Sequence, residues 1–363
     1  MIKPTDRKVG TREFVAIILL SMGIKFTDMT PTLLYKETAN AAWMVPILSG
    51  LIMFVPLLFL LKLLKFYKDK NLIEIIFSLT GKYVGFLLGM CLFLSSYSST
   101  VTNSRSYVDI ISTMFFPNTN IIVLFLLLIG SSYYLANRGL NTIANTAWIS
   151  LPYIKAFMVI GILMVTNQVN FNYIFPIGGY GALTIIKNSI SYSSIFADIM
   201  FFSVVFPFFK NYESFRKASL IGYALVIFEL VMFLTIYIMY FDFPGIENIT
   251  YPFQEITRAV RLGRFITNIE AVFLGFWSVA SIIRFSIYLY ISTAIFAYSL
   301  KLKEFEPLLL PFGLLVILLG YLPENFIINS FQIRGPFVLN MTSGFIFSLP
   351  ILLWSIHKIR GER

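Results

Sequence analysis

The chain has 363 residues and a formal net charge of +10, and 58% of its residues are hydrophobic while only 13% are charged. A soluble domain carries about 25% charged residues, so the composition indicates a protein that crosses a membrane several times. The positive charges stand in short clusters between apolar runs, which is typical of cytoplasmic loops and predicts no nucleic-acid partner. One cysteine and one histidine exclude disulfides and metal sites built from several such residues, and no cofactor is expected.

Long apolar runs predict ten membrane-spanning segments. Runs of about 20 apolar residues are too long for the strands of a membrane barrel, so helices are the expected form. In chain order the spans are predicted at 12–35, 42–65, 83–113, 119–137, 140–166, 183–209, 217–240, 268–299, 307–323 and 336–357. An amphipathic surface helix is predicted at 251–265, with Ile256, Val260 and Phe265 against the membrane interface.

Lysine and arginine are unevenly distributed between the two sides of this map. One side, which includes both termini, carries most of them, whereas the other side holds Lys36, Arg258, Arg261, Arg264 and Arg334. Positively charged loops stay in the cytoplasm, so both termini are predicted to be cytoplasmic.

Two of the predicted spans are interrupted by polar residues. The first interruption is SMGIKFTDMTP at 21–31, and the second is NSISYSSIFADI at 188–199. Each opens one half of a chain with five spans per half, and an odd number of spans inverts the second half relative to the first. The pattern predicts an all-α polytopic membrane protein with one domain, 1–363, built as an inverted 5+5 repeat with broken first and sixth helices. The two repeats are expected at 11–166 and 183–357.

Several stretches together resemble a known family. They are GTREF at 10–14, SRSYVDII at 104–111, FRKASLIGY at 215–223, YPFQEITRAVRLGRFITNIEAVFLGFWSVA at 251–280 and GYLPEN at 320–325. Their order and spacing are similar to those of the B-subunit family of bacterial spore germinant receptors, a branch of the amino acid–polyamine–organocation superfamily. The resemblance covers essentially the full length and implies the LeuT-like fold of that superfamily.

The resemblance also implies a function. We expect a germinant receptor subunit and not an enzyme. It is expected to bind a small germinant, most simply an amino acid, and to signal to partner subunits. The implied partners are an A subunit with a soluble domain and a lipoprotein C subunit, and the implied location is the bacterial cell membrane or spore inner membrane, in contact with membrane lipid. An amino acid–proton symporter on the same scaffold is the alternative. A structural subunit is a further alternative, since the first break lacks the Gly-x-Gly-like pair of related transporters.

A ligand site is predicted where the first, third, sixth and eighth spans meet. A zwitterion needs donors for its carboxylate and an acid or carbonyl groups for its amine, and broken helices offer both at their ends. The predicted ligand-binding residues are Gly23, Ile24, Lys25, Thr27, Asp28, Tyr97, Ser193, Ser194, Asp198, Trp277 and Ser281. The alternative for Lys25 and Asp28 is that the first helix ends early and that these two charges lie in an outer vestibule. For Asp198 the candidate partners are a ligand amine and Lys25, and a polar contact between helices is the alternative.

Structural or ion-site roles are predicted for two further groups of charged residues. Arg105 and Asp109 lie four residues apart in the third span and are expected to form an ion pair on one helix face. Lys155 lies in the middle of the fifth span, where a buried, paired ammonium resembles the arrangement in proton-coupled members of the superfamily. The alternative is a lysine that snorkels to the interface.

One helical stripe of the eighth span carries Glu270, Trp277, Ser281, Arg284 and Tyr288. Arg284 inside a span requires an acid, and the candidates are Glu229 and Asp198. Glu270 is expected to anchor the entry of the helix.

The charge asymmetry gives a test of topology. A reporter that is active only in the cytoplasm should give signal when fused after Arg363 and no signal when fused after Gly245. The reverse pattern of signals would contradict the ten-span map.

Overall fold

The structure of the protein, a computed structural model, describes residues 8–259, 269–323, 329 and 340–360. Within these ranges the chain forms fourteen α-helices, several of them joined by short 3-10 segments. They are α1 (Thr11–Ser21), α2 (Thr30–Thr38), α3 (Val45–Phe66), α4 (Leu72–Met114), α5 (Ile121–Asn137), α6 (Leu140–Val165), α7 (Ala182–Ser191), α8 (Asp198–Phe202), α9 (Tyr212–Phe241), α10 (Phe243–Ile246), α11 (Pro252–Ala259), α12 (Ile269–Ser299), α13 (Leu309–Tyr321) and α14 (Asn340–Arg360).

The longer helices, alone or joined end to end, have the length and composition of membrane spans. In the described residues, seven helical segments are long and apolar enough to cross a membrane, and Ile121–Asn137 and Glu306–Tyr321 are shorter apolar helices. The first predicted span is covered by α1 and α2 together, and the last is described from residue 340 onward. The predicted all-α polytopic membrane architecture is confirmed.

Both predicted helix breaks are present. The first runs from the end of α1 through a 3-10 segment, Gly23–Thr27, to the start of α2. Glycine lowers helix propensity, and proline is favoured in the first turn of a new helix, where Pro31 stands. The second break is the 3-10 segment Tyr192–Phe196 between α7 and α8.

Side chains from other helices satisfy the backbone of the first break. The hydroxyl of Tyr237 donates to the carbonyl oxygen of Phe26 at 3.0 Å, and Gln254 Nε2 donates to that of Thr27 at 2.9 Å. Such partners are required because lipid offers none.

The broken sixth span is enclosed by the rest of the protein. In its most apolar window 89% of the residues are buried, against 22% for Leu140–Gln168, whose surface is left for lipid. Irregular backbone at membrane depth is tolerated when protein surrounds it, which explains how this span can be interrupted. The second break packs against α3 and α14, whereas the first helix packs against α6, α9 and α12.

The predicted surface helix at 251–265 is described as far as residue 259, where α11 ends. The expectation that Ile256 faces the membrane interface was wrong. Ile256 lies on the buried side of α11, near Phe233 and Phe273. The positions of Val260 and Phe265 lie outside the described residues. Since Gln254 on the same helix reaches the first break, α11 connects the loop to the core of the protein.

The expected ion pair between Arg105 and Asp109 is formed in α4. Arg105 Nε donates to Asp109 Oδ1 at 2.9 Å, and Nη1 donates to the carbonyl oxygens of Gly320 and Pro323 at 3.2 and 2.8 Å. The Gly320 oxygen belongs to the last turn of α13, where helix carbonyl groups lack helical partners, and Pro323 follows two residues after the helix ends. The pair therefore holds α13 against α4.

Candidate functional site

A buried ion pair connects the two helix breaks. Lys25 Nζ lies 2.7 Å from Asp198 Oδ2 and also donates to the carbonyl oxygen of Ile195. The two side chains are only 7% and 8% exposed. Tyr288 on α12 donates its hydroxyl to the same carboxylate oxygen at 2.6 Å. Of the two candidate partners for Asp198, a ligand amine and Lys25, the structure provides Lys25.

A small polar cavity lies beside this pair. The space in it that the centres of water-sized molecules can reach is about 30 Å³. The lining comes from the two breaks together with α4 and α14, through Lys25, Thr30, Ser99, Asn103, Tyr192, Ser194, Ile195, Ala197, Asp198, Phe201 and Thr342. Within the described part of the chain, the buried hydroxyl oxygen of Ser194 has no hydrogen-bond partner. Buried polar atoms are normally paired, so this hydroxyl group is available to a ligand.

The cavity contains three of the predicted ligand-binding residues, Lys25, Ser194 and Asp198. The fourth wall is α14 with Thr342, where the eighth span was expected. The hydroxyl-rich stretch 95–104 of the third span, too polar to face lipid all round, is expected to line the cavity, and two of its residues do so. They are Ser99 and Asn103, which lie four residues apart on one helix face.

Tyr97 does not belong to this cavity. Its hydroxyl donates to the carbonyl oxygen of Phe312 on α13 at 2.9 Å, and its ring stacks on Phe93. Tyr97 precedes Ser99 by two residues, which rotates it by about 200° around the helix axis. The predicted ligand-binding residue Tyr97 therefore faces α13 instead of this cavity.

Arg284 lies fully buried behind the first break. Its Nη1 is 3.8 Å from Asp28 Oδ2 and donates to the hydroxyl of Tyr107, while Nη2 donates to Asn103 Oδ1 at 3.3 Å. Asp28 Oδ1 accepts from the backbone N–H of Thr30 at 2.7 Å, at the start of α2. Asp28 therefore contributes to both the arginine site and the beginning of a helix.

Neither candidate acid forms an ion pair with Arg284. Asp198 is paired with Lys25, and Glu229 is paired with Lys155. The 3-10 geometry of the first break brings Asp28 toward α12 instead, and helical periodicity does not reveal this contact.

Trp277 and Thr27 support the break from behind rather than line the cavity. Trp277 Nε1 donates to Thr27 Oγ1 at 2.9 Å, and the indole stacks on Tyr107 with ring centroids 4.8 Å apart. The Thr27 hydroxyl donates in turn to the carbonyl oxygen of Ile24 at 2.7 Å. This chain of contacts holds the irregular segment in one shape.

Two predicted serine ligands are engaged within their own segments. Ser281 donates to the carbonyl oxygen of Trp277 at 2.7 Å, and Ser193 donates to that of Ile190 at 2.8 Å. Neither lines the cavity, and Ile24 is likewise buried outside it.

Gly23 faces a second ion pair on the other side of the break. Lys155 Nζ lies 2.6 Å from Glu229 Oε1, with the side chains 22% and 13% exposed. A Cβ atom at Gly23 would lie 2.4 Å from Glu229 Oε2, so the missing side chain admits this carboxylate. Of the two alternatives for Lys155, the structure forms the paired arrangement rather than one that snorkels.

Glu270 lies at the entry of α12, as expected. It accepts from Arg258 Nε at 3.0 Å and connects α12 to α11. With a side chain 36% exposed, it is remote from the cavity.

Comparison with known proteins gives the family. A family model described as "Spore germination protein" matches residues 11–326. The chain belongs to the spore germination protein family. Spore germination protein B2 of Bacillus subtilis strain 168 is 22% identical over 247 residues, which are 67% of this chain and 66% of that protein. YfkT of the same organism is 21% identical over 355 residues, which are 96% of this chain and 95% of that protein.

The fold is that of LeuT-like transporters. The structure is similar to Mhp1, a nucleobase-cation-symport-1 family transporter in a closed conformation with bromovinylhydantoin bound, with a TM-score of 0.63 and 15% identity. The alignment covers 97% of this chain and 78% of Mhp1. An Eremococcus coleocola manganese transporter aligns with a TM-score of 0.59 and 11% identity over 95% of this chain and 77% of the transporter.

The Lys155–Glu229 pair provides a direct test. Lys155→Met keeps the length of the side chain and leaves Glu229 without its counter-ion in a mostly buried position. We expect the free energy of unfolding to fall by about 1–3 kcal/mol, measured as a lower thermal midpoint of the purified chain. The control is Lys65→Met at an exposed lysine in the last turn of α3. Equal midpoints for the two variants would mean that the pair contributes no stability.

Proposed function

We propose that this chain is the germinant-binding B subunit of a spore germinant receptor, with its germinant in the cavity between the two breaks. The observation that carries the proposal is the lining of this cavity. It combines a cation and an anion, Lys25 and Asp198, with the unpaired hydroxyl of Ser194, at the meeting point of two broken helices. Broken helices of this kind carry the substrate sites of LeuT-like transporters.

The lining suits a small zwitterion such as an amino acid. Opposite charges lie side by side, and hydroxyl and amide groups of Ser99, Asn103 and Thr342 surround them. The rings of Tyr192 and Phe201 form the apolar part of the wall and would contact the side chain of the ligand. Few polar groups in convergent positions are the usual source of orientation and specificity in such sites.

Signalling would follow from a shift between conformations of the bundle. A ligand shifts such an equilibrium only by the difference in its affinity for the two states. Tyr192, which lines the cavity, donates its hydroxyl to Glu37 Oε1 at 3.1 Å, near the end of α2. This contact connects the ligand position to the outer part of the first broken helix, so a change in the cavity can be transmitted there.

The proposal includes an assembly and a location. The chain would act as a single membrane domain of two inverted repeats, 11–166 and 183–357, in the spore inner membrane with both termini on the core side. An A subunit with a soluble domain and a lipoprotein C subunit would read its conformation. The relatives support a role in germination, and the distribution of lysine and arginine supports the orientation.

The second candidate is an amino acid–proton symporter. The similarity to solved transporters favours it, and so does the Lys155–Glu229 pair, because a paired ammonium in the fifth span resembles the arrangement in proton-coupled members of the superfamily. Proton-coupled uptake of a labelled amino acid into vesicles that contain this chain alone would support the symporter. Ligand binding without uptake would support the receptor.

The cavity itself is tested by filling it. Ser194→Leu places an isobutyl group where the unpaired hydroxyl now lies, so we expect at least about a tenfold loss of germinant sensitivity, with expression and subunit assembly unchanged. The measurement is the germinant dose–response of spores that carry the variant. Leu318→Ala, at a lipid-facing leucine of α13 that is 66% exposed, is the control. An unchanged dose–response for an assembled Ser194→Leu variant would place the germinant elsewhere.

A further inference from the structure

The position in the cavity that best suits an amine is already occupied by the protein. The ammonium group of Lys25 contacts the carboxylate of Asp198 at 2.7 Å and donates to the carbonyl oxygen of Ile195. An ammonium group has three donors and no acceptor, so a carboxylate beside a backbone carbonyl group is a suitable set of partners for any primary amine. A ligand amine would need these same two groups.

We infer that Lys25 is an internal competitor for the ammonium group of the ligand, and that the chain therefore selects small zwitterions that exchange with it. In the exchange, the ligand ammonium binds Asp198 and the Ile195 carbonyl oxygen. The Lys25 ammonium then binds the ligand carboxylate. The inference rests on the proposed function, since it concerns the same cavity.

Charge balance explains the selectivity. Among the described residues that line the cavity, Lys25 and Asp198 are the charged ones. A ligand with an amine alone would displace Lys25 and leave its buried ammonium unpaired, and a ligand with a carboxylate alone would leave Asp198 without its cation. Either outcome is costly, because breaking a buried pair from one side exposes an uncompensated charge. A zwitterion leaves no charge unpaired, and a neutral molecule leaves the pair intact.

The two partners differ in their freedom to move. Asp198 is held by the hydroxyl of Tyr288 at 2.6 Å, and this bond remains when Lys25 leaves. Lys25 is attached through a flexible four-carbon chain and lines the cavity itself. The nearby carboxylate of Asp28 already binds the Thr30 N–H and faces Arg284, so it is not a ready replacement for Asp198. Lys25 is therefore the partner that moves away when a ligand ammonium binds Asp198.

The exchange would also change the link between the helices. In the structure one direct ion pair joins the first break to α8. A bound zwitterion would stand between the two partners and replace the direct contact by two contacts. The relative position of the two breaks would then depend on the ligand, which is what a receptor requires.

The experiment uses the purified full-length chain and defined probes. The probes are the twenty common amino acids, propylammonium and propionate, with the thermal midpoint and calorimetric Kd as readouts. We expect the wild-type chain to respond to one or more amino acids and to neither fragment alone. Propylammonium and propionate added together should bind the wild type, because together they satisfy both members of the pair.

Removing either charge of the Lys25–Asp198 pair should allow the chain to bind the fragment that carries the same charge. Lys25→Met should bind propylammonium at least about tenfold more tightly than the wild type does, and Asp198→Asn should show the same gain for propionate. The double variant, with neither charge, should fold and bind neither fragment. Arg216→Gln, at an exposed ion pair whose side chains are 51% and 71% exposed, should behave as the wild type.

The outcomes separate this inference from the proposed function. If the wild type binds an amino acid while neither single variant gains its fragment and the fragment mixture has no effect, the exchange is overturned and the receptor proposal stands. Wild-type binding of propylammonium as tight as that of Lys25→Met also overturns the exchange. If the single variants gain binding of their fragments while the wild type responds to no amino acid, Lys25 remains the competitor for an ammonium group. The proposal that the germinant is an amino acid would then be contradicted. If the single variants fail to fold, the fragment mixture on the wild type decides.

Discussion

The Lys25–Asp198 ion pair is the contact on which the arrangement of both interrupted helices depends. A helix that stops inside a bilayer exposes backbone groups that lipid cannot satisfy, so protein must enclose each break. Here each break supplies groups that the other requires. The lysine of the first binds a carbonyl oxygen of the second, and the carboxylate at the start of α8 neutralises that lysine. The cavity lies where these groups meet, bordered by hydroxyl side chains of α4 and α14.

Charges around the first break are paired with partners from different helices. The three pairs are Lys25–Asp198, Arg284–Asp28 and Lys155–Glu229. They surround one short segment. Within it Gly23 leaves room for the carboxylate of Glu229, which belongs to the third pair. A change in one pair therefore alters the surroundings of the other two. In the proposed receptor, this arrangement would allow a ligand in the small cavity to influence contacts with several helices.

The helices and both breaks could be predicted because lipid imposes a minimum apolar length and polar residues inside a span mark an interruption. Contacts across helices could not, because they depend on the rotation of each helix and on irregular backbone. Arg284 shows this, since its stripe was predicted but Asp28 reaches it only through 3-10 geometry. Tyr97 was assigned to the wrong face of the helix that presents Asn103. Thr342 is one of several hydroxyl residues in the last span, and nothing in the sequence distinguished it from the others.

The central claim is that Lys25 and Asp198 join the two breaks energetically, and a double-mutant cycle on stability tests it most directly. The free energy of unfolding of the purified chain would be measured for the wild type, Lys25→Met, Asp198→Asn and the double variant. The account predicts that the double variant is more stable than the sum of the single effects implies, with a coupling energy of about 1–3 kcal/mol. Effects that add to within about 0.5 kcal/mol would contradict it, because additivity is the behaviour of independent sites.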